Sequence, residues 1–123
     1  MAQKCILIVE DENDILSLYK EFLENAGFKI DTAINGEEGL NKIRDEEPDL
    51  VLLDIMMPKL DGIGVLQTLK DEKRRIPKTI MMTNLSHDET LKEAEALGAV
   101  ESIIKSEVTP NKVLEKINHL LET

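Results

Sequence analysis

Five residues with chemically useful side chains each stand at the end of a short apolar segment or directly after one. They are three carboxylates, one hydroxyl and one ammonium: Glu10, Asp11, Asp54, Thr83 and Lys105. Asp54 follows a run of valine and leucine that predicts a strand buried on both faces. Such a strand has no structural need for an acid at its end, so Asp54 is the first candidate for a functional residue.

The three carboxylates predict a site for a divalent cation. Two carboxylates roughly 5 Å apart, at an effective dielectric constant of about 20, repel each other by about 3 kcal/mol. A hard cation would relieve that repulsion, and a few oxygen ligands completed by water suit Mg²⁺. The loops that carry these acids contain no cysteine or histidine, which argues against zinc or copper.

The elements that must position these residues alternate along the chain. Apolar runs predict strands near residues 5–9, 28–33, 49–53, 79–82 and 100–104, and helical periodicity fills the intervals between them and the end of the chain. Strict alternation predicts an α/β fold with a parallel sheet covered by helices on both faces. The second and fifth segments are the least apolar, as edge strands would be, which favours the flavodoxin-like strand order 2-1-3-4-5.

Several residues predict where the helices begin and end. Asp14 and Ser86 are candidate N-caps, and Thr109 is a candidate cap followed by Pro110 at the first helical position. Gly27 and Gly98 are expected to end the helices before them. Glu12 is interpreted as part of a loop that caps the first helix, and Cys5 as a small buried hydrophobe.

Length and charge limit the function classes. The chain has 123 residues and a formal net charge of −10. We expect one domain over residues 1–123 with no output domain, located in the cytoplasm. A strongly acidic chain without a long apolar stretch predicts no binding to nucleic acid or membrane.

Taken together, these residues resemble the receiver domain family of response regulators, over essentially the whole chain. The resemblance rests on the acidic pair Glu10-Asp11, the segment from Asp54 to Pro58 with Asp61-Gly62 after it, Thr83 and Lys105. It implies a regulatory domain, not an enzyme, that accepts a phosphoryl group on Asp54 from a histidine kinase or a histidine phosphotransfer protein.

The resemblance also implies a role for each site residue. Glu10, Asp11, Asp54 and the backbone carbonyl of Met56 would hold Mg²⁺. Thr83 and Lys105 would contact the phosphoryl group. The modified domain would then bind a downstream protein, as a monomer or as a phosphorylation-dependent dimer.

The sequence departs from the family pattern at three positions. Ser106 replaces the proline that usually follows the lysine, which affects the geometry of that loop. Ser102 replaces the tyrosine or phenylalanine that usually moves inward when the threonine moves, so the aromatic read-out is missing. Asn84 places a polar side chain where a small residue is common, and we expect it to tune dephosphorylation.

Other functions remain open at this stage. A phosphorelay intermediate or a scaffold would use the same fold without the usual read-out. A Mg²⁺-dependent phosphohydrolase usually carries a second aspartate two residues after the first, where this chain has Met56. A flavin carrier would need small residues and hydrogen-bond donors after the first strand, where carboxylates would repel its phosphate.

Overall fold

A computed structural model describes residues 3–84 and 88–122. In that part of the chain, strands and helices alternate from the first element to the last. The strands are Cys5–Val9 (β1), Lys29–Ala33 (β2), Leu50–Asp54 (β3), Lys78–Thr83 (β4) and Glu101–Ile104 (β5). The helices are Asn13–Asn25 (α1), Gly36–Glu46 (α2), Gly62–Asp71 (α3), Asp88–Ala96 (α4) and Pro110–Glu122 (α5), with a short 3-10 turn at Lys105–Glu107.

The strands form one parallel sheet in the order β2-β1-β3-β4-β5, which confirms the predicted fold class and strand order. β1 and β3 are neighbours although α1, β2 and α2 lie between them in the chain. Because all strands run in the same direction, their carboxyl ends meet at one edge of the sheet. That edge carries the candidate site residues.

Alternate residues of the central strands pack on opposite faces of the sheet. Leu50 and Leu52 belong to the core beneath α1 and α5, whereas Val51 and Leu53 belong to the core beneath α2, α3 and α4. All five residues of β3 are buried. Burial on both faces explains the continuous apolar run in the sequence and holds the strand that ends in Asp54 rigidly.

Some local predictions need correction. Glu12, not Asp14, occupies the N-cap position of α1, and its side chain makes no capping hydrogen bond. Asp14 lies in the first turn, where its charge favours the helix dipole. Cys5 is only half-buried, and Ser86 lies outside the described residues.

Other local predictions are confirmed. Gly27 and Gly98 have positive φ angles of 101° and 114°, as helix-ending glycines require. α5 begins at Pro110, and the Lys112 N–H donates a 3.4 Å hydrogen bond to the Thr109 hydroxyl. One boundary prediction needs correction: β3 runs from Leu50 to Asp54, one residue later than predicted, and the Asp49 carboxylate before it accepts a 2.7 Å hydrogen bond from the Cys5 N–H.

Candidate functional site

The sheet brings four of the predicted site residues to adjacent strand ends. Asp54 is the last residue of β3, Glu10 follows β1, Thr83 ends β4 and Lys105 follows β5. Glu10 and Asp54 are 3% and 4% exposed, and Thr83 is fully buried. Burying polar and charged groups costs free energy unless they have hydrogen-bond or ion-pair partners.

Lys105 joins two of the buried carboxylates. Its Nζ donates to Asp54 Oδ2 at 2.9 Å and also forms a close ion pair with Glu10 Oε1. Glu12 Oε1 lies 3.8 Å from the same ammonium. The Lys105 side chain is only 8% exposed, so its pairs with buried Glu10 and Asp54 are poorly screened by water, whereas the exposed Glu12 carboxylate is well screened. The lysine therefore offsets much of the repulsion expected between the carboxylates.

The acidic loop after β1 gathers three carboxylates. Ligand atoms of Glu10, Asp11 and Glu12 lie within 4.8 Å of one another, with Asp11 and Glu12 exposed. Asp54 is not a member of this group, and Lys105 connects it to Glu10. Sequence reasoning interpreted Glu12 as a capping residue only. The run of three consecutive acids after a buried strand was the signal that could have identified its carboxylate as part of the cluster.

Backbone groups orient the acids further. The Glu12 N–H donates to Glu10 Oε2 at 3.2 Å, and the Met56 N–H donates to Asp54 Oδ1 at 3.3 Å. The Met56 side chain itself is largely exposed. Each buried carboxylate therefore has one oxygen on a backbone donor and the other on Lys105.

Gly62 allows the loop after Asp54 to fold back against the strand. Its N–H donates to the Ile55 carbonyl at 2.9 Å, and a Cβ at this position would lie 2.4 Å from the Asp54 carbonyl oxygen. The Asp61 carboxylate caps α3 by accepting a 2.7 Å hydrogen bond from the Gly64 N–H. This confirms that Asp61-Gly62 supplies turn and helix-start chemistry.

Burial and pairing perturb the titration of two site residues. Burial, reinforced by the nearby Asp54 carboxylate and opposed by the hydrogen bond from Lys105, raises the pKa of Glu10 to about 7. Burial lowers the pKa of Lys105, but its hydrogen bonds to Glu10 and Asp54 outweigh burial and leave the pKa above its usual value. Lys105 therefore stays a cation at neutral pH, whereas Glu10 titrates near neutrality.

The raised pKa of Glu10 predicts a pH-dependent stability in the metal-free protein. A carboxyl whose pKa is about 7 when folded and 4.5 when unfolded adds stability that is complete below pH 4.5. That stability is lost as the pH rises through 7. We expect urea denaturation in a chelator to show that the free energy of unfolding falls with rising pH, and we expect Glu10→Gln to remove most of this pH dependence. If the free energy of unfolding changed equally with pH in wild type and variant, Glu10 would not be the titrating group.

The residues beside the site differ in their surroundings. Thr83 is buried whereas the next residue, Asn84, is exposed. Ser102 pairs with Met81 across β4 and β5. Among the described residues, its hydroxyl is the one buried side-chain polar atom without a hydrogen-bond partner. A small hydroxyl therefore occupies the position where receiver domains usually carry an aromatic ring, as the sequence indicated.

Comparison with known proteins identifies relatives of this chain. A sequence model described as the response regulator receiver domain matches residues 6–118. The chain is 37% identical over 118 residues to the alkaline phosphatase synthesis transcriptional regulatory protein PhoP of Bacillus subtilis. The match covers 96% of this chain and 48% of PhoP. The chain thus spans about half the length of the curated relatives it matches.

Solved structures agree with the sequence relatives. A CheY-like receiver domain protein from Methanospirillum hungatei is 36% identical, with a TM-score of 0.91, and the match covers 98% of this chain and 95% of that one. A chain in the CheX-CheY-BeF3-Mg²⁺ complex from Borrelia burgdorferi is 31% identical, with a TM-score of 0.84. That match covers 95% of this chain and 88% of the other. Within the described residues, no helix has the length and apolar character needed to cross a membrane.

Proposed function

The chain belongs to the response regulator receiver domain family, and we propose that it is a phosphorylation-dependent switch with Asp54 as its phosphoacceptor. Receiver domains are regulatory signalling domains of two-component systems, so the family supports the general role. The observation that carries the specific proposal is the environment of Asp54. Its carboxylate lies buried at the end of β3, with the Lys105 ammonium 2.9 Å from Oδ2.

The reaction that suits this geometry is phosphoryl transfer from a phosphohistidine. A carboxylate oxygen of Asp54 forms the new bond to phosphorus, the phosphorus–nitrogen bond breaks, and the imidazole leaves with the electron pair. The product is an acyl phosphate on Asp54. Lys105 already contacts one Asp54 oxygen, so a short movement of its ammonium would place it on a phosphoryl oxygen.

The donor set fits Mg²⁺. Carboxylate oxygens of Glu10 and Asp11, one oxygen of Asp54 and the Met56 carbonyl would hold the ion, and Glu12 lies close enough to contribute. When bound, the ion would neutralise the charge that an anionic phosphoryl group brings to an acidic site. Without the ion, the carboxylates gathered in the acidic loop would repel that group.

We propose that the output passes through the backbone, because Ser102 offers no ring to move. Thr83 would hydrogen bond to the phosphoryl group and shift the chain that leads into α4. A downstream protein would read that surface, with the domain acting as a monomer or as a phosphorylation-dependent dimer. The small side chain of Ser102 also favours a second candidate, a phosphorelay intermediate that passes its phosphoryl group to another histidine and needs no aromatic read-out.

Residues 1–123 would act as one receiver domain in this scheme, and the donor would be a histidine kinase or a histidine phosphotransfer protein. Intact-protein mass after incubation with acetyl phosphate tests the central proposal. We expect a gain of one phosphoryl group with Mg²⁺ and none in a chelator. Continuous release of phosphate without an accumulated phosphoprotein would instead support the phosphohydrolase.

Asn84 is proposed to tune the lifetime of the phosphoryl group. Its exposed carboxamide directly follows buried Thr83 at the end of β4. We expect Asn84→Ala to lengthen the lifetime by roughly two- to tenfold, the rate equivalent of one hydrogen bond to the attacking water. Decay of the phosphoprotein mass measures it. An unchanged lifetime would remove Asn84 from the mechanism.

A further inference from the structure

A large cleft lies at the edge of the sheet opposite Asp54, where strands begin and helices end. Its volume is about 510 Å³, which is within the range of small-molecule sites. The segments that lead into β1, β3 and β4 form one side, and the ends of α2, α3 and α5 form the other. None of its lining residues belongs to the phosphoacceptor site.

The charge of this cleft is opposite to that of the chain. Five cations and two acids line it, a formal charge of +3, although the whole chain carries −10. The rest of the chain therefore carries −13. The cations are Lys4, Arg44, Arg74, Arg75 and Lys78. A positive concave surface on an acidic protein attracts anions and would exclude most cations.

Some of these cations have structural roles. Arg44 forms a close ion pair with Glu72, and Arg74 Nε lies 2.9 Å from the same carboxylate. The Lys78 ammonium donates to the Leu120 carbonyl near the end of α5, where a cation also favours the helix dipole.

Two other cations lack such roles. In the part of the chain that the structure describes, Arg75 and Lys4 side chains form no hydrogen bond or ion pair. Dipole compensation and internal pairing thus account for only part of the positive charge.

The cleft also has an apolar lining. Three of the apolar residues beside it are themselves buried: Ile43, Pro48 and Leu69. The partly exposed apolar surface comes from Ile76, Pro77 and Leu121. Inorganic phosphate would leave this apolar surface uncovered. An anion that also carries an apolar organic group would cover it.

We propose that this cleft binds a small organic anion of the nucleoside-phosphate class. Arg75 and Lys4 would contact the phosphate oxygens, and the base would cover the apolar lining. Arginine suits such a ligand because its guanidinium presents paired donors to phosphate.

This site is independent of phosphoryl transfer. β3 has five residues, so the two edges of the sheet lie roughly 16 Å apart at about 3.3 Å per residue. A ligand in the cleft therefore leaves Asp54 accessible. Binding should survive Asp54→Asn, which distinguishes failure of this proposal from failure of the phosphoacceptor assignment.

Backbone-amide NMR with ATP in metal-free, low-salt buffer tests the proposal. We expect saturable shifts in residues 43–49 and 74–78, with no change in the acidic loop at 10–12. Arg75→Glu should weaken ATP affinity by about tenfold or more, as the loss of charged hydrogen bonds and added repulsion require. Lys20→Glu makes the same charge change on the exposed face of α1 and should leave the affinity within about twofold.

Four results would overturn the proposal. The first two are ATP-induced shifts that do not saturate and shifts that centre on the acidic loop. The third is wild-type ATP affinity in Arg75→Glu, with an unchanged unfolding midpoint showing that the variant is folded. The fourth is inorganic triphosphate that binds as tightly as ATP, which would leave the apolar lining without a role.

Discussion

An Asp54→Asn variant is expected to gain no phosphoryl group from acetyl phosphate and Mg²⁺ under conditions that modify the wild type fully. The asparagine amide keeps the shape of the side chain and can still accept the 3.3 Å hydrogen bond from the Met56 N–H. It lacks the negatively charged oxygen that attacks phosphorus. The loss should therefore be complete while the fold is retained, and intact-protein mass measures it directly.

Asp61→Asn is the matched control for this experiment. Asp61 lies on the same loop, and its carboxylate caps α3 through the Gly64 N–H. Asparagine is an equally good N-cap, so stability should hardly change and the gain in mass should match that of the wild type. Full modification of Asp54→Asn would move the phosphoacceptor to another carboxylate, such as Asp11.

A Lys105→Met variant is expected to lose much of the stability of the metal-free protein at alkaline pH. Removing the ammonium leaves Glu10 and Asp54 buried without the cation that pairs with both. Breaking a buried ion pair in this way costs about 3–5 kcal/mol. Urea denaturation at pH 8 in a chelator measures the change in the free energy of unfolding.

Two comparisons make the Lys105 result specific. Below pH 7 the destabilisation should shrink, because Glu10, whose pKa is raised to about 7, is then protonated. Lys112→Met is the control, since Lys112 is exposed and its ammonium lies 3.5 Å from the exposed Glu115 carboxylate. Its loss should cost no more than about 1 kcal/mol. Equal destabilisation in both variants would show that the buried pairs contribute little.

The sequence alone predicted the fold and the strand ends at which the candidate site residues stand. Continuous apolar runs, as in β3, predict strands that are buried on both faces, and such strands are typical of parallel sheets. The less apolar β2 and β5 lie at the edges of the sheet. The strand order then brings the acids, the threonine and the lysine at the strand ends to one edge of the sheet. These features are local in the chain, so periodicity and residue type reveal them.

Tertiary structure decided how the charges are shared. Lys105 is far from Glu10 and Asp54 in the chain, and only the sheet register places its ammonium between their carboxylates. The same holds for Glu12, whose carboxylate joins the acidic loop instead of capping α1, and for the cationic cleft formed by three segments and three helix ends. Pairing and burial depend on distances across the fold, and residue type alone contains no information about those distances.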